Sequence, residues 1–333
     1  MRTKLISSCW GFLVIILIVA GLLFFKASLP MSDNTQSQVF EVKSGMTLKQ
    51  VSQELLGQNL IRSANAFQAI ALIQDKEKLI KVGEYYISPS MPPAEILQRI
   101  TSGKTVLHSV TIPEGYRITE IANLLEKRDL VDKNIFLQQA KNVELLEGVP
   151  TGSLEGYLFP DTYHFGKRTT EAIIINKMVE TFKERALKQE FLKRAGDMGF
   201  SYHEIITLAS LIEKETGKDS ERKQISSVFH NRLKKNMLLQ TDPTVIYVID
   251  IFDGNIRKRD LKIDSPYNTY LYKGLPPGPI ANPGLKSIIA ALYPAITSNL
   301  YFVSKKDGSH KFSATLNEHN RAVQKYQLRK IGR

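Results

Sequence analysis

The chain has 333 residues, of which 43% are hydrophobic and 23% charged, so it is long enough for about two folded domains with ordinary cores. Its formal net charge of +12 favours an anionic partner, but no basic arm with interleaved aromatic residues and no zinc-finger spacing indicates nucleic acid. The single cysteine, Cys9, excludes an intramolecular disulfide, and the six histidines are scattered. We therefore expect no metal, no cofactor and no nucleic-acid partner.

The N-terminal segment between Lys4 and Lys26 contains no charged residue. As a helix, the stretch LISSCWGFLVIILIVAGLLFF would span roughly 30 Å, the thickness of a bilayer core. Basic residues precede it, which places the N-terminus in the cytoplasm and the rest of the chain outside, in the periplasm of a Gram-negative cell. We predict a cytoplasmic tip and transmembrane anchor in the cytoplasmic membrane at residues 1–29 and a linker at residues 30–38. The alternative is a cleaved signal peptide, whose apolar region is usually shorter.

Two segments after the linker match each other, residues 40–56 and residues 110–126. Each predicts a short strand, a turn at a glycine and an amphipathic helix. Fainter matches at Gly83–Ile87 and Gly156–Pro160 predict a returning strand in each copy. The sequence therefore predicts an α+β fold built partly from a repeated unit.

The first copy, which we delimit to residues 39–107, resembles a LysM-like module, a class that binds N-acetylglucosamine chains. The resemblance rests on the pattern V-x-x-G-x-T-L-x-x-V. The alternative is that this module only spaces or orients the next domain. Residues 108–333 predict a larger α+β domain, with a repeat-like subdomain at 108–165 and an active-site region at 200–333.

The segment SYHEIITLASLIEKETG predicts a helix, with Ser201 as its N-cap and Glu204 completing a capping box. Glu213 follows the small residues Ala209 and Ser210 by one turn, which leaves room for a ligand. The preceding Leu211 and Ile212 are apolar, and a carboxyl in partly apolar surroundings has a raised pKa, as a general acid requires. The alternative is a solvated charge at the end of a surface helix.

The stretch LLQTDPTVIYVI predicts a short helix that Thr241 or Asp242 caps before Pro243. We interpret Asp242 primarily as a cap. Gln240 has no such structural explanation, and its amide suits hydrogen bonds to sugar hydroxyls or to an N-acetyl group.

The run YNTYLYKGLPPGPIANPG at residues 267–284 is too rich in proline and glycine for a regular element. Its tyrosines and Asn268 suit the wall of a sugar-binding cleft, and a structural Ω-loop is the alternative. We further expect Asn282-Pro283 to cap a helix at 284–292. The last predicted elements are a hairpin at 300–313, with its turn at Lys306-Asp307-Gly308, and a final helix with a capping box at Thr315-x-x-Glu318.

Several unusual segments occur in one order along the chain: SLEGYLFPDTY (153–163), LASLIEKET (208–216), SVFHNRL (227–233), LQTDPTVIY (239–247), YNTY with GLPPGPIANPG (267–284) and YFV (301–303). Together they resemble the family of endolytic murein transglycosylases, which are single-pass inner-membrane proteins. The resemblance implies a catalytic domain with a lysozyme-like active-site helix. It also implies that Glu213, the first glutamate of EKET, is the catalytic residue, and it leaves the role of Glu215 open.

The chemistry that the resemblance implies requires a single carboxyl. That carboxyl protonates the oxygen between MurNAc and GlcNAc and then accepts the proton of the MurNAc C6 hydroxyl, which closes on C1 to give a 1,6-anhydroMurNAc end. The cut lies inside nascent peptidoglycan strands near the membrane and limits their length, alongside peptidoglycan synthases. We expect substrate contacts from residues that these segments carry: Gln240, Asp242, Tyr247, Asn268, Tyr267, Ser210 and Glu155.

Three alternatives remain open at the level of sequence. A hydrolytic muramidase would need a second carboxylate from Asp161, Asp242 or Glu155. A wall-binding scaffold protein would need no catalytic group. A cytosolic lyase of chorismate-type metabolism would conflict with the predicted anchor, and no phosphate or pyridoxal site is recognisable.

Overall fold

The structure is a computed structural model. It describes the backbone of residues 2–146, 149–150 and 152–328, with side chains from Val14 onward. The predicted anchor at residues 1–29 therefore lies partly outside the described residues and stays a prediction. Within the described part of the chain, no helix is both long and apolar enough to cross a membrane.

The chain divides into two compact units, residues 1–108 with 164–168 and residues 109–163 with 169–333. The module predicted at residues 39–107 falls within the first unit. Its limits as a domain stay a prediction.

The first unit contains, in chain order, α1 (Arg2–Ala27), β1 (Gln38–Val42), α2 (Leu48–Gly57), α3 (Ala64–Ile73), β2 (Gly83–Ile87) and α4 (Pro93–Ser102). The two strands pair antiparallel, with Phe40 opposite Tyr85. Thr47 and Gln50 form a capping box that starts α2. The predicted order of strand, glycine turn, helix and returning strand is therefore confirmed here. The strands and α2, α3 and α4 enclose one apolar core, which includes Phe40, Val51, Leu55, Phe67, Tyr85, Ile96 and Leu97.

The subsequent elements are β3 (His108–Thr111), α5 (Ile118–Glu126), α6 (Lys133–Gln139), β4 (Thr162–Phe165), α7 (Glu171–Arg185), α8 (Gln189–Asp197), α9 (Tyr202–Glu215), α10 (Asp219–Lys234), α11 (Asp242–Val248), α12 (Leu285–Leu292), β5 (Tyr301–Ser304), β6 (His310–Ser313) and α13 (Leu316–Val323). Single 3₁₀ turns lie at Val143–Leu145 and Asp260–Lys262, and a π-helical turn at Gln324–Leu328 comes after α13. Strand β3 pairs with β4, and β5 pairs with β6 in the predicted hairpin. The α+β prediction is confirmed, with helices dominating and two-stranded sheets between them.

Two local predictions are wrong. The second returning strand does not lie at Gly156–Pro160 but at Thr162–Phe165, because Gly156 adopts a φ of 90° in a turn. Helix α12 begins after Gly284, and Asn282 does not cap it. The Asn282 side chain instead accepts from the backbone N–H of Leu158 at 2.9 Å, which ties the loop to a distant segment.

Helix α9 is the central element of the second unit. All residues from Ile205 to Ile212 are buried, and the helix packs against α8, α10, α11 and α12. Its buried hydroxyls are satisfied within the helix, since Thr207 donates to the carbonyl of His203 at 2.8 Å. The predicted capping box of Ser201 and Glu204 is confirmed at its start. A helix that is buried on all sides cannot rotate, so the direction of each side chain at its end is fixed.

Replacement of Gly156 by alanine tests how tightly the 267–284 loop packs on α9. A Cβ atom at this position would lie 2.5 Å from the Pro279 Cγ atom and 3.1 Å from the Ile206 Cγ2 atom. The matched control is Gly199→Ala, which has a φ of 80° but no atom within 4 Å of the added Cβ. We expect Gly199→Ala to lower the free energy of unfolding by about 1–2 kcal/mol and Gly156→Ala by about 1–3 kcal/mol more. Equal losses in denaturant titrations would contradict the close packing.

Candidate functional site

The last turn of α9 carries two glutamates, Glu213 and Glu215. Two residues of a helix separated by one position point about 200° apart around its axis, so their carboxyls cannot share one environment. The two side chains accordingly lie in different surroundings.

Glu213 is held in a buried ion pair. Its Oε1 atom lies 2.9 Å from Nη2 of Arg222, and the exposed fractions of the two side chains are 5% and 6%. Its Oε2 atom accepts from the backbone N–H of Gly284 at 3.0 Å. Arg222 also pairs with Asp219 and, at 3.5 Å, with Glu114. Burial raises the pKa of Glu114, and the neighbouring Glu213 carboxylate raises it further.

This arrangement differs from the apolar surroundings that the sequence predicted for Glu213. Both of its carboxylate oxygens are engaged by donors within the protein, and the cluster contains three other charged side chains. An arginine that bridges several carboxylates is typical of a structural network. The geometry therefore does not support Glu213 as the general acid.

Glu215 lines an open cavity of about 470 Å³ in the second unit. The Thr241 hydroxyl donates to its Oε1 atom. Burial raises the pKa of Glu215 to about 7, and the nearby Asp242 carboxylate raises it as well, whereas the Thr241 hydrogen bond lowers it. A carboxyl with a pKa near neutrality, partly buried in a cavity of this size, has the properties of a general acid and base.

The cavity brings two predicted site residues, Gln240 and Asp242, together with Glu215. Gln240 is exposed and has a φ of 49°, a left-handed conformation that is unfavourable for a residue other than glycine. Asp242 accepts from the hydroxyl of Tyr270 at 2.6 Å. Thr241, the residue between them, occupies the N-cap position of α11, as one of the two predicted candidates, but its side chain makes no capping hydrogen bond. The interpretation of Asp242 as the cap is wrong, because Asp242 is the first residue of the helix and its side chain is engaged by Tyr270.

The opposite part of the cavity wall comes from α10, the segment that follows it, the β5–β6 hairpin and α13, none of whose residues the sequence analysis named as a substrate contact. The residues that complete the lining are Arg232, Leu239, Tyr301, Phe302, Leu316, His319 and Asn320. The Arg232 guanidinium lies 5.3 Å from the centre of the Tyr301 ring, and the His319 ring stacks on Tyr301 at 5.1 Å. This wall is therefore aromatic and carries a positive charge.

Three other predicted substrate contacts are buried and bonded within the protein. The Ser210 hydroxyl donates to the carbonyl of Thr207 and accepts from the N–H of Ile280. The fully buried Asn268 amide donates to two loop carbonyls, at 3.1 and 2.8 Å. The geometry gives these two residues the structural role of holding the 267–284 loop, and it does not support a direct contact with substrate.

Glu155 is the third of these buried residues. It accepts from the backbone N–H of Ile118 at 3.1 Å and from the side chain of Asn282 at 3.0 Å. Burial raises the pKa of Glu155 to about 8. Its carboxyl satisfies a free N–H at the start of α5, so its role is structural.

Tyr247 and Tyr267, also predicted as substrate contacts, form a separate half-buried pair. Their ring centres lie 4.9 Å apart, and the Arg117 guanidinium lies 5.0 Å from the centre of the Tyr247 ring. Neither tyrosine lines the cavity that contains Glu215. Their contact with substrate stays a prediction.

Four of the lining residues that the sequence did not single out lie within its unusual segments. Arg232 belongs to SVFHNRL, Leu239 to LQTDPTVIY, and Tyr301 and Phe302 to YFV, but nothing local distinguished any of them from a core residue. Among the residues that the structure describes, no group of three or more histidine, cysteine, aspartate or glutamate side chains is arranged to hold a metal ion.

Comparisons with known proteins give consistent results over nearly the whole chain. Residues 40–325 match the model of the YceG-like family. An endolytic murein transglycosylase of Bacillus subtilis is 37% identical, with 93% of this chain and 91% of the relative covered. One of Streptococcus pneumoniae strain R6 is 31% identical, and the alignment covers 91% of this chain but 61% of that longer relative. A crystal structure of a YceG-like protein from Listeria monocytogenes is 34% identical and superposes with a TM-score of 0.59, covering 86% of this chain and 99% of that one.

The buried Glu155 predicts a pH dependence of stability. Its pKa is about 8 in the folded protein and about 4.5 in the unfolded chain, so between these values the folded state binds the proton that the unfolded state has lost. The free energy of unfolding should therefore fall as the pH rises from about 5 to about 8. In Glu155→Gln this fall in the free energy of unfolding should be absent, whereas Glu126→Gln, a control at an exposed glutamate, should retain it. Urea titrations at a series of pH values measure it, and parallel pH profiles for wild type and Glu155→Gln would contradict it.

Proposed function

Because this chain belongs to the YceG-like family, we propose that it is an endolytic peptidoglycan transglycosylase that leaves 1,6-anhydroMurNAc ends on nascent glycan strands. Relatives that match it over more than nine-tenths of its length are endolytic murein transglycosylases. Cleavage inside the strand would limit strand length while synthases extend it.

One observation carries the proposal at the level of residues. Glu215 combines a pKa of about 7, a fixed orientation through Thr241 and a place in an open cavity. We therefore propose Glu215, rather than Glu213, as the catalytic acid and base. The family resemblance favours Glu213, whereas the geometry favours Glu215, and replacement of each glutamate decides between them.

The reaction requires only this one carboxyl. Protonated Glu215 gives its proton to the oxygen that links C1 of MurNAc to C4 of GlcNAc, and the C1–O bond breaks. The resulting carboxylate takes the proton of the MurNAc C6 hydroxyl as that oxygen bonds to C1. The GlcNAc product keeps the first proton as its C4 hydroxyl, Glu215 ends protonated, and no water is consumed. Positioning of the intramolecular nucleophile replaces a second carboxylate.

Other groups in the cavity have supporting roles under this proposal. The Thr241 hydroxyl orients Glu215, and the Asp242 charge disfavours ionisation of Glu215 and so keeps the acid form available near neutral pH. Gln240 presents an exposed amide at the cavity, suited to sugar hydroxyls or an N-acetyl group.

A hydrolytic muramidase is the second candidate, because Asp242 supplies a second carboxylate in the same cavity. In a hydrolase, Asp242 would act as base or nucleophile and a reducing end would form. Mass spectrometry of digested glycan strands separates the two reactions, since anhydro ends are lighter than reducing ends by one water. A preponderance of reducing ends would favour the hydrolase.

The two glutamates of EKET predict opposite outcomes on replacement. Glu215→Gln should abolish the release of anhydro products while the free energy of unfolding at pH 8 stays the same or rises, because burial disfavours the charged form. Glu213→Gln should lower the free energy of unfolding by roughly 1–3 kcal/mol, since Arg222 loses one of its carboxylate partners. Folded Glu213→Gln should keep measurable activity. A stable, inactive Glu213→Gln beside an active Glu215→Gln would restore Glu213 as the catalytic residue.

The pH profile of the wild type gives a further check. Since Glu215 must start protonated, kcat/KM should fall as the pH rises through about 7. In Asp242→Asn this descending limb should move to lower pH, because a negative charge that raises the pKa of Glu215 is gone. Initial rates of anhydro product release between about pH 5 and 9 measure both profiles. If kcat/KM of Asp242→Asn falls over the same pH range as that of the wild type, the Asp242 charge does not raise the pKa of Glu215.

We further propose that α1 anchors the protein in the cytoplasmic membrane, with the remainder outside the cytoplasm. Support comes from its exposed apolar side chains between Val14 and Phe25. Recovery of the full chain in the soluble fraction of lysed cells would contradict the anchor.

We also propose that the LysM-like module of the first unit binds glycan at the concave surface around Met46 and Gln53. Failure of Gln53→Ala to weaken sedimentation with insoluble peptidoglycan would contradict that site.

A further inference from the structure

Arg232 is buried and rigidly held in the wall of the catalytic cavity. Its Nε atom donates to the carbonyl of Leu300 at 2.7 Å, and its Nη1 atom donates to the carbonyl of Leu239 at 2.7 Å and to that of Leu238 at 3.4 Å. The residue is 8% exposed. Backbone carbonyls thus fix the plane of the guanidinium, while the side chain still lines the cavity.

Arg232 forms no salt bridge with a carboxylate of the described residues, although the Glu215 carboxyl of the same cavity interacts with its charge at longer range. Among the residues that the structure describes, no aspartate or glutamate oxygen lies within 4.0 Å of its nitrogen atoms, and its hydrogen bonds use only Nε and Nη1, which leaves Nη2 free. Arg222, on the same helix α10, pairs with Glu213, Glu114 and Asp219. A buried cation without a carboxylate is costly unless a ligand supplies the missing acceptor.

The surroundings of Arg232 are suited to a sugar substituent. Tyr301 and His319 stack beside it, and the Asn320 side chain lines the same wall. The cavity's own acidic groups are Glu215, which is largely neutral below about pH 7, and Asp242, which is engaged by Tyr270. An acceptor on the ligand therefore meets a positive charge and aromatic rings on this side.

The proposed reaction does not by itself select its sugar. GlcNAc and MurNAc both carry a C6 hydroxyl and an N-acetyl group, so the proton transfers through Glu215 are equally possible at either residue of the strand. MurNAc differs by the lactyl ether at O3, whose carboxyl is free in stripped strands and amide-linked to the stem peptide in intact ones. A separate group must therefore recognise that substituent.

We propose that Arg232 binds the lactyl carboxyl or amide oxygen of MurNAc and thereby determines which glycosidic bond reaches Glu215. This inference rests on the proposed function. The guanidinium donates through its free Nη2 end to either oxygen, and donors fixed by backbone carbonyls discriminate strongly because misplaced ligands leave them unpaired. A polymer of GlcNAc alone, such as chitin, lacks the acceptor.

Replacement of Arg232 tests the proposal through substrate choice. We expect Arg232→Gln to lower kcat/KM on peptide-free glycan strands roughly 10- to 100-fold at about pH 5–6, as expected for loss of a charge-assisted hydrogen bond. The descending limb of the pH profile should move to higher pH, because a positive charge that lowers the pKa of Glu215 is gone. Arg232→Lys should recover part of the loss. The control Arg259→Gln, at an arginine whose side chain is 78% exposed, should match the wild type. A folded Arg232→Gln with wild-type kcat/KM would overturn the proposal.

A second measurement leaves Arg232 intact, so it remains decisive if Arg232→Gln fails to fold. Inactive Glu215→Gln should bind peptide-free strands roughly 10-fold or more tightly than chitooligosaccharides of the same length, and added salt should reduce the difference. Equal affinities would overturn the role of Arg232. Failure of the proposed function is distinguishable, because the wild type would then release no anhydro ends from any strand.

Discussion

The burial of α9 on all sides is the constraint on which the site depends. It fixes the rotation of the helix, and its last turn then directs two carboxyls about 200° apart. Neither can be left charged and alone in the interior. The protein uses both available solutions: Glu213 is paired with a buried arginine and a backbone N–H, and Glu215 faces a cavity where burial raises its pKa to about 7. The first solution gives rigidity, and the second gives a transferable proton.

Helix α10 distributes positive charge to match. Arg222 meets the carboxylates at the end of α9 and at the start of α10, which joins these two helices and the Gly284 turn into one network. Arg232 lies further along α10 and is held only by carbonyls of the segments around Leu239 and Leu300. The same residue type thus contributes to the fold at one end of the helix and remains available to a ligand at the other.

Local features of the fold could be predicted from the sequence because they depend on neighbouring residues. The capping boxes at Ser201 and Thr315, the hairpin of β5 and β6 and the irregular 267–284 loop are examples. The site depends on contacts between distant segments, and there prediction was weaker. Nothing near Glu213 in sequence indicates that Arg222 pairs with it. Polar residues of the unusual segments were ambiguous for the same reason, since some of them are buried and hold the loop whereas others line the cavity.

The cavity is also where local preferences are broken. Thr241 occupies the N-cap position of α11, yet its hydroxyl makes no capping bond and donates to Glu215 instead. The preceding Gln240 adopts a left-handed backbone that costs of order 1–2 kcal/mol. Both departures lie at the cavity: the Thr241 hydroxyl reaches Glu215, and Gln240 lines the same cavity. A strained backbone and an N-cap without its capping bond persist only where other contacts hold the chain in place. Here those contacts are the hydrogen bonds that the backbone N–H groups of Gln240 and Thr241 donate to Thr269. A strained residue and an N-cap without its capping bond thus lie together beside Glu215, an arrangement that is common at functional sites and agrees with the role proposed for this glutamate.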